Sequence, residues 1–246
     1  MRLEYIAPDW PAPNNIACVT TTRVGGYSAK AYNSLNLGLH VEDNEADVNK
    51  NRRLIKSDLQ LPAVPAWLNQ VHGSKVLNLS GKCPKNVTAD AAYTNEIGVV
   101  CAVLTADCLP VLFCDQTGEY IAVVHAGWRG LLNGVLENTL HALPVANNKI
   151  MCWLGPAIGP IKFEVGEEVY KSFVGKDAKH KNAFQEKIES KYLANIYQLA
   201  KNLLNSNGVK AIYGGKYCTY LEENKFYSYR RDGQTGRMAT LIWKKS

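Results

Sequence analysis

Residues 120–143 constrain the fold most. Tyr120-Ile121-Ala122-Val123-Val124 is a short apolar run of the strand type, whereas 129–143 place Leu131, Leu132, Val135, Leu136, Leu140 and Leu143 at helical spacing. Only His125-Ala126-Gly127-Trp128 separates the two patterns. A strand that turns into an amphipathic helix over so short a junction implies stacked layers of sheet and helix.

Elsewhere strands and helices mix without strict alternation. Strand patterns fall at 16–22, 66–68, 74–79, 99–104, 111–113, 150–154, 211–213, 226–229 and 238–243, with a weaker one at 35–40. A helix is predicted over 46–59, where Val48, Arg52, Ile55 and Leu59 share a face behind the capping candidates Asp43 and Asn44. Further helices are predicted over 165–173 and 189–204, the latter with Gly208 as a left-handed stop, while 155–160 reads as a rigid turn and 176–182 as a polar surface loop. The expectation is an α/β fold with mixed sheets. It is expected to form a single domain over 1–246, because no linker or repeat divides the chain and 46% hydrophobic content is ample for a core.

Composition narrows the function classes. No uninterrupted apolar run approaches the roughly 18 residues of a membrane span, and the first residues lack a signal-peptide pattern, so a cytoplasmic protein with no membrane partner is expected. Seven cysteines, an odd number scattered through apolar segments, do not form a secreted disulfide framework. The net charge of +6 is dispersed, which favours small anionic ligands over nucleic acid.

Two imidazoles and a thiol stand at breaks between apolar runs: His72 in Asn69-Gln70-Val71-His72-Gly73, Cys108 in Thr105-Ala106-Asp107-Cys108-Leu109-Pro110, and His125 before Gly127 and Gly130. Three such ligands suit a catalytic zinc, which keeps its fourth position for water or substrate. The intervals, 108 − 72 = 36 and 125 − 108 = 17, mean that only the fold can assemble the site. Other uses of these atoms stay open. Cys108 and His125 can form a thiolate–imidazole pair for nucleophilic catalysis; taken alone, Cys108 reads first as a buried thiol and His72 as a turn histidine bonded to backbone, while His125, with Gly127 and Gly130 beside it, is evenly balanced. A copper site is disfavoured, since Met1, Met151 and Met238 all lie away from the candidate ligands in sequence. A structural zinc needs a fourth protein ligand, for which Cys101, Cys114 and His40 are the candidates. Arg129 at a glycine-flanked helix start, Arg23 beside Gly25-Gly26, and Arg230, Arg231 and Arg237 are candidate anion contacts, with Trp128 or Tyr229 available to stack on a base.

Taken together these segments resemble the bacterial YfiH-like family, also called laccase-domain or multicopper-polyphenol-oxidase-like proteins. The resemblance runs from Thr21-Thr22-Arg23-Val24-Gly25-Gly26 and Ser34-Leu35-Asn36-Leu37-Gly38 through the three ligand segments to 155–160 and Tyr229-Arg230-Arg231-Asp232-Gly233-Gln234-Thr235-Gly236-Arg237. It implies a layered α/β/β/α fold shared with cytotoxic necrotizing factor-type toxins, and a metal, usually zinc, on His72, Cys108 and His125. It also implies phosphorolysis of adenosine, inosine and methylthioadenosine together with deamination of adenosine. In that reading Cys108 and His125 are catalytic, Asp107 is a proton shuttle, and Arg23, Asn36, Arg129 and Arg230 hold substrate or phosphate. The alternatives are a cysteine-type amide hydrolase editing peptidoglycan precursors, with Cys108 as nucleophile and His125 as base, a copper polyphenol oxidase, and a non-enzymatic zinc protein. A monomer is expected. Tyr27, Glu42 and Phe163 depart from the family pattern, none of them at a proposed ligand.

Overall fold

The computed structural model describes residues 2–80 and 87–245. The chain opens with β1 (Tyr5–Ile6), β2 (Ile16–Thr21) and α1 (Glu45–Asp58), then β3 (Ala66–Trp67), β4 (Val76–Asn78) and β5 (Ala91–Thr94). Its centre holds β6 (Val100–Thr105), β7 (Leu109–Asp115), β8 (Ile121–Ala126), α2 (Trp128–Leu132), α3 (Val135–Ala142) and β9 (Ile150–Leu154). There follow β10 (Glu164–Gly166), α4 (Glu167–Lys176), β11 (Phe184–Glu186), β12 (Lys191–Ala194), α5 (Ile196–Ser206), β13 (Ala211–Gly214), α6 (Tyr229–Asp232) and β14 (Met238–Lys244). One sheet has the order β1-β2-β14-β6-β3, a second β13-β9-β7-β8-β5-β4, and a small third β10-β12-β11. The two large sheets are mixed, as expected: β3 with β6, β4 with β5 and β9 with β13 run parallel, and the other pairs antiparallel.

Alternation along the strands builds the layers, because successive side chains of a strand point to opposite faces. From β7 and β8, Val111, Phe113, Ala122 and Val124 join Leu136 and Leu140 of α3 and Leu199 and Leu203 of α5 in one core. Their neighbours Leu112, Cys114, Ile121 and Val123 face the other way and pack against Cys101, Val103 and Ile242 of the five-stranded sheet. The far face of that sheet, with Ala102, Leu104, Ala239 and Leu241, covers Ile55 of α1. The order is helix, sheet, sheet, helix. Each fully buried large aliphatic or aromatic side chain contributes about 1.5–3 kcal/mol, so truncating Phe113, which is wholly enclosed, is expected to cost about 3–5 kcal/mol.

Several segments differ from the sequence expectation. The pattern over 129–143 is two helices rather than one, broken at Gly134, whose φ of +84° is a left-handed conformation glycine tolerates. The expected helix over 189–204 starts only at Ile196, where the Asn195 side chain accepts from Gln198 N. Before it, Tyr192 and Ala194 alternate inward from β12, which pairs with both β10 and β11. Residues 226–229 are not a strand: Phe226 N donates to Glu222 O, and Ser228 caps α6 by accepting from Arg231 N. Residues 35–40 form a loop, drawn together by Asn36, whose Oδ1 accepts from Gly38 N and Arg237 N. The polar segment 176–182 includes part of a 3-10 turn with His180 buried. Among the described residues Cys18, Cys108, Cys114, Cys152 and Cys218 are free thiols, Cys83 lies outside them, and no helix is long and apolar enough to cross a membrane.

Candidate active site

His125 is the fifth residue of β8 and pairs with Pro110 of β7. Cys108 immediately precedes β7, so thiol and imidazole emerge at the same end of a two-strand ladder. His72 arrives from the link between β3 and β4. Its φ of +59° and the +91° of Asp107 are left-handed conformations uncommon outside glycine, and both sit at this one place. A ligand atom from each of His72, Cys108 and His125 lies within 4.8 Å of the other two, and the imidazole rings meet edge to face with centroids 4.7 Å apart. The fold thus assembles the three side chains that sequence spacing alone could not.

One residue escaped the sequence reading. Asp90 is fully buried, and its Oδ1 lies 2.8 Å from His125 Nδ1 and accepts from His72 N at 2.9 Å. Its Oδ2 accepts from Gly73 N at 2.7 Å and Val71 N at 3.3 Å. The available signal was an acid set among alanines at the start of a strand, Ala89-Asp90-Ala91-Ala92, where burial demands a partner.

Electrostatics favour the ionised thiol. Burial pushes Cys108 up, but the charge of His125 and hydrogen bonds from His125 and His72 outweigh it and hold the thiol below its ordinary value. Burial likewise pushes His125 down, and Cys108 with Asp90 reverses the effect, raising it. For Asp90 burial acts upward, and the bonds from His125, Gly73 and Val71 hold it low. Thiolate, imidazolium and carboxylate form one compensated chain. Room at the cluster depends on Gly127, where a Cβ would stand 3.0 Å from both Cys108 Sγ and His72 Cδ2.

Two nitrogens and a thiolate sulfur match the donor preferences of zinc. Among the described residues no fourth His, Cys, Asp or Glu joins the group: Cys101 and Cys114 lie in the core between the sheets, and His40 lines the same cleft outside the group. Met151 and Met238 are also in that core, so neither supplies an axial sulfur of the copper-site kind. The arrangement allows a metal ion with an open position.

The cluster lies in a cleft of about 560 Å³ walled by Ile158, Ile196, Trp128, Phe163 and Tyr229, with Arg129, Arg230 and Arg237 around it. Each arginine sits over one ring: Arg129 4.4 Å from Trp128, Arg230 5.5 Å from Phe163 and Arg237 5.9 Å from Tyr229. Arg230 donates to Glu164 O and Arg237 to the carbonyls of Thr235 and Gly236. Arg129 is exposed and, among the described residues, makes no side-chain hydrogen bond or ion pair. Asp107 also lines the cleft, but its carboxylate is occupied, accepting from Thr219 Oγ1 at 2.6 Å and Arg230 N at 2.7 Å. That fixes the arginine loop to the site. Arg23 and Asn36 are not brought to the cleft. Arg23 lines a separate cavity and donates to Asn33 O and Glu223 O, and Asn36 is buried with its amide bonded to Gly38, Asp43 and Arg237.

Residues 17–245 match the family described as multi-copper polyphenol oxidoreductase laccase. The chain is 52% identical over 240 residues, 98% of each chain, to an Escherichia coli protein named purine nucleoside phosphorylase YfiH. A Haemophilus influenzae purine nucleoside phosphorylase is 50% identical, covering 98% of this chain and 99% of its own. Among solved structures, a Neisseria meningitidis protein is 47% identical with a TM-score of 0.93, over 98% of this chain and 99% of its own. YlmD from Geobacillus stearothermophilus is 30% identical with the same TM-score, over 98% and 96%.

Proposed function

The chain belongs to the laccase-like multi-copper polyphenol oxidoreductase family, in its YfiH-like branch, and on that footing we propose that it is a purine nucleoside phosphorylase acting on adenosine, inosine and methylthioadenosine. The observation that carries the reading is the near full-length likeness to proteins bearing that name. The cleft supports it, pairing aromatic walls for a base with arginines for phosphate.

In this reading the whole chain acts as one catalytic domain. A phosphate oxygen forms a bond to the anomeric carbon of the ribose while the bond from that carbon to the base nitrogen breaks. The electron pair leaves with the base, which takes up the proton that hydrogen phosphate loses, giving free purine and ribose-1-phosphate, or its 5-methylthio derivative from methylthioadenosine. Arg129 binds phosphate with its uncommitted guanidinium, Arg230 flanks it, and Trp128, Phe163 and Tyr229 exclude water from the base. His72, Cys108 and His125 would hold a zinc ion. When bound, it supplies a Lewis acid for a substrate oxygen. Adenosine deamination, in which water replaces the ring amine and ammonia leaves, belongs to the same proposal. Asp107, with both oxygens already accepting hydrogen bonds, serves better to hold Arg230 than to carry a proton.

One observation favours a second reading. Cys108, His125 and Asp90 form a thiolate–imidazole–carboxylate chain, the equipment of a cysteine-type amide hydrolase acting on peptidoglycan precursors. Incubating zinc-loaded protein with adenosine, with and without phosphate, separates the two. Phosphate-dependent adenine and ribose-1-phosphate, lost in Cys108→Ala, are expected by mass spectrometry, with inosine marking deamination. No conversion at full zinc occupancy, or a covalent Cys108 adduct with an amide substrate, would overturn the phosphorylase reading.

A further inference from the structure

We infer that Asp90 is a positioning residue that fixes both histidines of the cluster at once, an inference resting on the reading of His72, Cys108 and His125 as metal ligands. Its carboxylate divides its work between two chain segments. Oδ1 faces the His125 ring at 2.8 Å and the His72 amide at 2.9 Å, and Oδ2 takes the amides of Gly73 and Val71. The main chain of Asp90 adds a third tie, since its carbonyl accepts from His125 N at 2.7 Å. No other group among the described residues bonds both histidine segments in this way.

Two consequences follow for the ligand atoms. With Nδ1–H donated to Asp90, His125 turns Nε2 toward Cys108 and His72, so one tautomer is selected. The second concerns His72, whose left-handed backbone is disfavoured for a β-substituted residue. Three consecutive N–H groups converging on one buried carboxylate hold that conformation in place, as amide nests hold anions. An asparagine cannot substitute. Its single acceptor oxygen satisfies one half of the arrangement and its NH2 group meets N–H donors on the other half.

The test compares wild type with Asp90→Asn. Zinc affinity, measured by competition with a chromophoric chelator, should fall about 10–100-fold, the usual effect of losing a partner that orients a metal-bound histidine. The visible spectrum of the cobalt-loaded variant should change in its thiolate and ligand-field bands. A purely structural role predicts something else: a lower melting temperature of the metal-free variant, with zinc affinity and cobalt spectrum as in wild type. That result would overturn the inference. Nitrogen NMR of zinc-loaded wild type tests it independently of any variant, and should show His125 protonated at Nδ1 and coordinated through Nε2; coordination through Nδ1 would refute it. Wild type that takes up neither zinc nor cobalt would instead refute the metal reading itself, and this inference with it.

Discussion

Gly127→Ala probes the cluster with a single methyl group. The backbone there, φ −68° and ψ 164°, suits alanine, so any effect comes from space and not from strain at the substituted residue. The new Cβ would meet Cys108 Sγ and His72 Cδ2, each at 3.0 Å. Attractive contact begins at about 3.5–4.0 Å, so two ligand side chains must each withdraw by several tenths of an ångström or more. Overpacking of this kind costs about 1–3 kcal/mol. In the metal-free protein, rotation of the Cys108 side chain toward the cleft relieves much of it. With the ligands held in register for a metal the relief is lost, and the strain appears as affinity: about 5- to 150-fold weaker zinc binding at 1.4 kcal/mol per factor of ten. Chelator competition reads the affinity, and thermal unfolding of the metal-free protein reads the remaining strain. Zinc affinity within twofold of wild type would show that the cluster is not as tightly built as its contacts require.

Three other outcomes are expected. Arg129→Ala should raise the KM for phosphate about tenfold or more, the loss of a charge-assisted hydrogen bond, while stability stays within about 0.5 kcal/mol; equal shifts in the phosphate and nucleoside KM would argue against its role. At Asp115 burial pushes the carboxyl up, but the Thr117 hydroxyl and the amides of Tyr120 and Thr117 outweigh it and hold it below the ordinary range. A folded value below the unfolded one near 3.9 contributes stability above about pH 3.9, lost as pH falls through the folded value. The advantage of wild type over Asp115→Asn in urea unfolding should therefore shrink below about pH 4, and a gap constant from pH 7 to pH 3 would contradict this. Tyr197→Phe should cost about 1–3 kcal/mol, because its buried hydroxyl accepts from Ala157 N at 2.8 Å and lies 2.9 and 3.1 Å from the carbonyls of Tyr217 and Gly155; an unchanged urea midpoint would show those groups find other partners.

Local chemistry was readable where one pattern excluded the others. The runs around β6 to β9 are apolar, too short for helices and punctuated by turn residues, and they form the centre of the two large sheets. The segment before α5 was ambiguous because Leu193, Ile196, Ala200 and Leu203 satisfy a helical face, while Tyr192 and Ala194 equally satisfy an inward strand face. Pairing with β10 and β11 decided it, and the cap at Asn195 was the local sign. Arg23 and Asn36 stand beside glycines as ligand-holding residues do, yet their side chains bond mainly to the chain itself. Asp90 was illegible for a different reason. Its partners lie 17 to 35 positions away, so the alanines around it mark an acid that will be buried but not the segment whose amides enclose it.

The place of the cleft follows from how the chain passes between its two large sheets. It crosses from the five-stranded to the six-stranded sheet in the link from β3 to β4, which carries His72, and in the link from β6 to β7, which carries Asp107 and Cys108. It returns from β5 to β6 through a link that carries no cleft residue, and from β13 to β14 through the segment that bears Tyr229, Arg230 and Arg237. The three crossings that carry cleft residues meet at one end of the sheet pair, beside the end of β8 and its His125. A link that must change sheets within three residues, as Ala106-Asp107-Cys108 does, has little freedom, and the left-handed turn at Asp107 is how it reverses. The packing of one sheet on the other therefore sets the distance between the ligands. That is also why they lie so far apart in sequence: His72 and Cys108 come from two different crossings of the same seam, and His125 from the end of a strand beside them.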